Sequence, residues 1–115
     1  MSYARRVDEN QRAIVRALRQ IPGCRVYVSS SVGAGFPDLT VFFRGMVYFI
    51  EIKIVGKRRR LTPAQGDFHA EAFAGGYRIP VVETPEEAVA VVTHPVHTRP
   101  AYHRTEEPCS TQPTN

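Results

Sequence analysis

Two short apolar runs, residues 39–43 and 46–52, dominate the pattern of hydrophobic and polar positions along this chain. Both are rich in β-branched and aromatic residues, and Arg44-Gly45 between them predicts a tight hairpin turn. We expect Phe43 to lie opposite Met46. One face of the hairpin then carries only apolar side chains: Leu39, Val41, Phe43, Tyr48, Ile50 and Ile52. The pattern therefore predicts a hairpin with one buried face.

Three charged residues interrupt these runs. The same register places Asp38 opposite Glu51, and Lys53 lies two residues further along the same face. A register shifted by one residue would send the two carboxylates to opposite faces. Like charges opposite one another destabilise a sheet, and Lys53 can offset only one of them. Two interpretations follow: an ion-pair cluster on an exposed face, or carboxylates that bind a divalent cation such as Mg²⁺ or Mn²⁺.

The residues before the hairpin predict one helix and one strand. Residues 1–6 are expected to be frayed, and Asp8 with Gln11 fits a capping box that opens a helix ending at Pro22-Gly23. Residues 24–28 alternate enough to form a first strand. A loop of small residues, 29–35, leads from that strand into the hairpin.

The residues after the hairpin predict a second helix. A basic loop with Lys57, Arg58, Arg59 and Arg60 comes first. Thr62 then fits the N-cap position, with Pro63 at the first helical position and Gln65 completing a capping box. Phe68, Ala72 and Phe73 are expected to face inward, and Gly75-Gly76 ends the helix.

The remaining chain predicts a fourth strand, a short helix and a tail. Residues 77–83 read as a strand that Pro80 restricts to an edge or a bulge. Thr84-Pro85 starts a third helix. Residues 1–93 thus form one α/β domain in the order αβββαβα, with a mixed four-stranded sheet flanked by helices and a parallel crossover into the last strand. Residues 94–115 lack periodicity and are expected to be a disordered tail.

Composition limits the functional classes. The 115 residues suit one domain. No apolar run approaches the ~20 residues that span a membrane. Cys24 and Cys109 make neither a disulfide framework nor a zinc pattern. We therefore expect a soluble, cytoplasmic protein. Residues 1–60 hold twelve Lys/Arg and four Asp/Glu, a balance of +8, whereas residues 61–115 hold three and seven, a balance of −4. A basic first half favours a polyanionic partner.

The order of elements, with Pro37-Asp38 on one strand and Glu51-Ile52-Lys53 on the next, resembles the PD-(D/E)XK nuclease superfamily, whose fold is restriction-endonuclease-like. It is most similar to the VRR-NUC (virus-type replication-repair nuclease) family, in particular its small stand-alone phage proteins. The matching stretches also include residues 7–11 and 61–65, and the resemblance covers about residues 5–93.

The resemblance implies metal-dependent hydrolysis of DNA. Asp38 and Glu51 would bind Mg²⁺ or Mn²⁺, with the Ile52 carbonyl as a further ligand, and Lys53 would orient or deprotonate the attacking water. A lysine can lose its proton, which arginine effectively cannot. The family also uses an acidic residue on the first helix, and either Asp8 or Glu9 could fill that place.

The sequence leaves two alternative roles for each of two residues of the second helix. Gln65 resembles the family's active-site glutamine but is also a capping residue. His69, four residues further along, either faces the same cleft or is a surface histidine, which is the simpler interpretation.

The function implied is a structure-selective DNA endonuclease for flaps or four-way (Holliday) junctions in phage replication, recombination or repair, in the host cytoplasm if the chain is phage-encoded. Cutting a symmetric junction would require a homodimer, and Lys57 to Arg60 would contact DNA. The alternatives are a non-catalytic DNA-binding module with the same fold and a structural domain with an incidental ion cluster.

Overall fold

A computed structural model of the chain describes residues 2–94. These residues form three α-helices, one 3₁₀ turn and four strands. In chain order they are α1 (Tyr3–Arg19), β1 (Arg25–Val28), the 3₁₀ turn (Ser30–Val32), β2 (Leu39–Phe43), β3 (Met46–Ile52), α2 (Pro63–Ala74), β4 (Val81–Val82) and α3 (Pro85–Thr93). The strands make one sheet in the order β1-β2-β3-β4, antiparallel except for the parallel pair of β3 with β4. The predicted α/β fold with a mixed four-stranded sheet is confirmed.

The predicted register of the central hairpin is also confirmed. Phe43 lies opposite Met46 and Leu39 opposite Ile50. Arg44 and Gly45 both adopt positive φ, 53° and 78°, as in the two-residue hairpin turns whose twist matches that of the strands. The apolar face of the hairpin packs against α1 and α3 in a core of residues that are at most 8 % exposed: Ile14, Val15, Leu18, Cys24, Val26, Leu39, Val41, Phe43, Tyr48, Ile50, Ile52, Val82, Ala88, Val91 and Val92.

Helix α1 begins earlier than the sequence predicted. Its N-cap is Ser2, whose hydroxyl accepts a hydrogen bond from the Arg5 N–H at 3.2 Å. The predicted capping box of Asp8 and Gln11, with residues 1–6 frayed, is therefore wrong. Ser2 supplies a capping oxygen nearly two turns before Asp8, and the residues between them contain no helix breaker.

Strand β4 is shorter than predicted. The expected strand over residues 77–83 is reduced to Val81–Val82, although it is parallel to β3 and at the sheet edge as expected. The Tyr77 hydroxyl accepts the Phe49 N–H at 3.0 Å, so a side chain takes a donor that a longer strand would use. Pro80 has no N–H, but its carbonyl accepts from the Glu51 N–H at 2.9 Å.

Helix α2 packs on the opposite face of the sheet from α1 and α3. Phe36 contacts Phe68 of α2 and Phe49 of β3, edge to face, with ring centroids 5.3 and 5.8 Å apart. The prediction that Phe73 faces inward is wrong: it is 52 % exposed, and the Arg78 guanidinium lies over its ring. None of the helices within residues 2–94 is long and apolar enough to cross a membrane. The predicted tail, apart from His94, lies outside the described residues.

Candidate active site

Pro37 explains how Asp38 comes to lie beside β3. The register of the hairpin, carried two residues beyond Leu39, places Pro37 opposite Ile52. Pro37 has no N–H, so it cannot donate the next ladder bond to the Ile52 carbonyl. The Ile52 N–H, which would donate to the Pro37 carbonyl in a continued ladder, donates to Asp38 Oδ2 at 2.8 Å. Backbone pairing between β2 and β3 thus stops beside Asp38, and the Asp38 carboxylate lies at the end of the paired strands.

Glu51 is the one charged residue of the described chain that is completely buried, at 0 % exposure. The pKa of its carboxyl is raised from 4.5 to about 8, chiefly by burial and then by the neighbouring Asp38 carboxylate, which repels the charged form and accepts a hydrogen bond from the protonated form. The positive charge of Lys53 lowers the pKa of Glu51. Burial is thus the main obstacle to ionisation of Glu51, and the Asp38 charge adds to it.

Gln65 connects these charges through its side-chain amide. Its Oε1 accepts from Lys53 Nζ at 2.9 Å, and its Nε2 donates to Glu51 Oε2 at 3.0 Å. The same Oε1 accepts from the Thr62 N–H, and Thr62 caps α2 in return, so the predicted capping box is confirmed. The two roles considered for Gln65 are therefore compatible, because the helix cap fixes the side chain that holds Lys53 and Glu51.

The loop before β2 fits closely against the first turn of α2. Gly35 has φ of +81°, and a Cβ built at this position would lie 2.2 Å from the Ala64 carbonyl oxygen and 2.9 Å from the Gln65 backbone nitrogen. Only glycine allows such an approach. This contact sets the distance between the loop and the turn that carries Gln65.

His69 lies in the site and not on the surface. Its Nε2 is 3.6 Å from Glu51 Oε1, and its side chain is 15 % exposed. Burial and the Lys53 charge lower its pKa, which favours the neutral imidazole. The sequence interpretation of a surface histidine is therefore wrong. Its spacing of four residues from Gln65 was the available signal, because such residues share one face of a helix.

Asn10 of α1 contacts the far end of β3. Its Nδ2 donates to the Lys53 carbonyl at 3.3 Å. Asp8 and Glu9 are both exposed, and no three His, Cys, Asp or Glu side chains converge as a metal cluster within residues 2–94. The structure therefore does not bring Asp8 or Glu9 together with Asp38 and Glu51, and an acidic ligand from α1 stays a prediction without a supporting contact.

The basic loop after β3 is only partly available to a ligand. Arg58 donates to the Val81 carbonyl and makes ion pairs with Glu87 at 2.7 Å and Glu83 at 3.3 Å. Its charge is thus compensated within the protein. The other three basic residues predicted to contact DNA are half-buried Lys57 and exposed Arg59 and Arg60.

The donor set suits a hard divalent cation. Mg²⁺ is typically held by one or two carboxylates with waters and substrate phosphates, so Asp38 and Glu51 meet its usual requirement. Glu51 Oε1 is buried and has no hydrogen-bond partner, which leaves one oxygen ready for a ligand. A cation would also relieve the repulsion that raises the pKa of Glu51.

The fold and this polar set define an α/β domain that carries two carboxylates and a lysine on its central strands, with a helix amide bridging them. A solved structure titled "VRR_NUC domain" has the same fold: the match has a TM-score of 0.61 at 23 % sequence identity and covers 77 % of this chain and 96 % of that one. The predicted VRR-NUC fold is thus confirmed. No protein-family model matches the sequence, and no curated protein matches it.

Proposed function

We propose that this chain is a metal-dependent endonuclease that hydrolyses DNA phosphodiester bonds. The observation that supports this most strongly is Glu51: it is fully buried, lies beside a second carboxylate and keeps one oxygen without a partner. Such an arrangement destabilises a fold that has no cation to bind. The likeness to the VRR_NUC domain supports the same class.

Asp38, Glu51 and the Ile52 carbonyl would hold Mg²⁺ or Mn²⁺. When bound, the cation would supply Lewis acidity toward the phosphoryl oxygen and would lower the pKa of a coordinated water. Lys53 Nζ lies next to this pair, held by Gln65 at 2.9 Å. Its ammonium offsets charge that develops on the phosphoryl group, and in its neutral form it accepts a proton from the attacking water. Gln65 orients Lys53 and Glu51.

DNA is the substrate that the charge distribution favours. The first 60 residues carry the +8 balance given above, and Lys57, Arg59 and Arg60 follow β3 directly. Salt-dependent phosphate contacts from these residues would bring the backbone to Asp38 and Glu51. Branched substrates, either flaps or four-way junctions, are the specific class proposed, and a symmetric junction would require two copies of the chain.

The test is cleavage of flap, splayed-arm, four-way-junction and plain duplex DNA with Mg²⁺, Mn²⁺ or EDTA. We expect cutting that requires the metal and is lost in Lys53→Ala and Asp38→Asn, with Asp67→Asn on the exposed side of α2 as the matched control. Salt-sensitive binding without cutting would identify a DNA-binding module instead. If the protein neither binds nor cuts any of these DNAs, only a structural role for the ion cluster remains.

A further inference from the structure

Two buried side-chain polar atoms of the described chain lack a hydrogen-bond partner, and they face each other. They are Glu51 Oε1 and His69 Nε2, 3.6 Å apart. Burying one polar group without a partner is costly, and burying two that nearly touch is more so. Native proteins retain such groups mainly where a ligand, ion or reaction requires them.

The separation of these atoms does not suit a direct hydrogen bond. N–H···O bonds have heavy-atom distances of about 2.7–3.2 Å, so 3.6 Å is too long. It does suit two ligands of one cation. In an octahedral site with donors about 2.1 Å from the ion, adjacent ligands lie roughly 3.0 Å apart and opposite ligands roughly 4.2 Å apart, so 3.6 Å falls within the range that two ligands of one ion span. The spacing thus favours a shared ion over a direct bond.

Two polar side chains of helix α2 face different oxygens of the same carboxylate. Gln65 Nε2 donates to Glu51 Oε2 at 3.0 Å, whereas His69 lies one turn further along, facing Oε1. Because Gln65 occupies one oxygen, the other stays available on the histidine side. Asp38, Glu51 and His69 do not form a converged three-donor group, so the Glu51–His69 pair carries the inference.

We propose that His69 Nε2 is a nitrogen ligand of the divalent cation bound by Glu51. This rests on the proposed function and adds a residue to its metal site. Mg²⁺ takes oxygen ligands, whereas transition metals also accept imidazole nitrogen. A nitrogen donor at this position therefore shifts metal preference from Mg²⁺ toward Mn²⁺. His69 thus sets which cation the site selects.

The first test is electron spin-echo envelope modulation of the full chain loaded with Mn²⁺ alone. We expect modulation from a coordinated ¹⁴N nucleus that changes when histidine is ¹⁵N-labelled and disappears in His69→Gln. The control is His94→Gln, which removes another histidine of the described chain. Because the labelling experiment uses the wild-type protein, it stays decisive even if the variant folds poorly.

The second test is calorimetric titration with Mn²⁺ and Mg²⁺. We expect His69→Gln to weaken Mn²⁺ binding about tenfold or more and to change Mg²⁺ binding much less. Bound Mn²⁺ without nitrogen modulation, or equal losses for both metals, would overturn the role of His69 while leaving metal-dependent cleavage untouched. Nitrogen modulation without cleavage of any DNA would instead refute the endonuclease and keep the ligand assignment.

Discussion

We expect Glu51→Gln to stabilise the protein in EDTA at pH 8 while abolishing metal-dependent cleavage. The glutamine has nearly the same shape as the glutamate, and its carbonyl can still accept the hydrogen bond from Gln65 Nε2. It carries no charge, so it removes the conflict with Asp38 and with burial. It also removes the negative charge with which the site would hold a cation.

The magnitude follows from the pKa of Glu51. Its folded value, about 8, lies above the ordinary value of 4.5. A group with a raised folded pKa contributes stability that is fully present below its unfolded pKa and is lost as pH rises through the folded pKa. Stability should therefore fall between about pH 4.5 and 8. The step from pH 4.5 to 7 alone corresponds to about 3.5 kcal/mol, at about 1.4 kcal/mol per pKa unit.

The assay is thermal unfolding in EDTA at pH 5, 6, 7 and 8, followed by circular dichroism. The advantage of Glu51→Gln over wild type should be small at pH 5 and should grow to at least about 5 °C at pH 8. Glu71→Gln, which neutralises an exposed carboxylate of the same helix as Gln65, should show no such growth. Adding Mg²⁺ at pH 8 should stabilise only the proteins that keep Glu51.

Two results would refute this account of Glu51. One is a glutamine variant that is less stable than wild type at pH 8, because the carboxylate would then be favourable in the fold. The other is a difference in stability that does not change with pH, because the variant would then act through packing and not through charge.

Three further predictions concern the scaffold around the site. Gly35→Ala should lower the free energy of unfolding by about 2–4 kcal/mol, because it combines positive φ with overpacking against α2. Gly33→Ala, with φ of +88° but open space around its Cβ, should show only the backbone cost. Equal losses of stability for the two variants in chemical denaturation would contradict the close approach of Gly35 to α2. Tyr77→Phe should cost about 1–3 kcal/mol in the same assay, because it leaves the Phe49 N–H without its acceptor; an unchanged midpoint would show that this hydrogen bond contributes nothing. Arg44→Asn should raise stability by about 0.5–1 kcal/mol, because Asn tolerates positive φ better, without changing cleavage; a loss would mean that the contact of the Arg44 guanidinium with the Phe43 ring, 5.0 Å from its centroid, outweighs the backbone strain.

The sequence predicted the centre of this fold well, because local and tertiary requirements agree there. A two-residue turn fixes the hairpin register, and that register decides which side chains share a face. The sequence therefore predicts that Asp38, Glu51 and Lys53 share one face of the hairpin. The start of α2 was equally clear, because Thr62, Pro63 and Gln65 satisfy a capping pattern that depends only on neighbours in sequence.

The errors arose either where two local signals compete or where contacts distant in sequence decide the outcome. Ser2 and Asp8 are both acceptable N-caps, and nothing local excludes the earlier one. Residues 77–83 have strand propensity, but the Tyr77 hydroxyl takes a backbone donor from β3. His69 was assigned to the surface because its burial depends on Glu51, 18 residues earlier on another element. Only its i+4 spacing from Gln65 hinted at the site.

The same features that make the site costly also explain why it is held so rigidly. Asp38 and Glu51 would move apart if either strand could slide, but β2 and β3 are the two inner strands and their register is fixed by the turn. Pro37 ends the ladder at one residue, so Asp38 binds the Ile52 N–H and cannot extend the strand. Gly35 brings α2 close enough for Gln65 to reach Glu51. Because a fixed scaffold cannot relieve the repulsion by movement, a proton on Glu51 relieves it, and the proposed cation would compete with that proton for the same carboxylate.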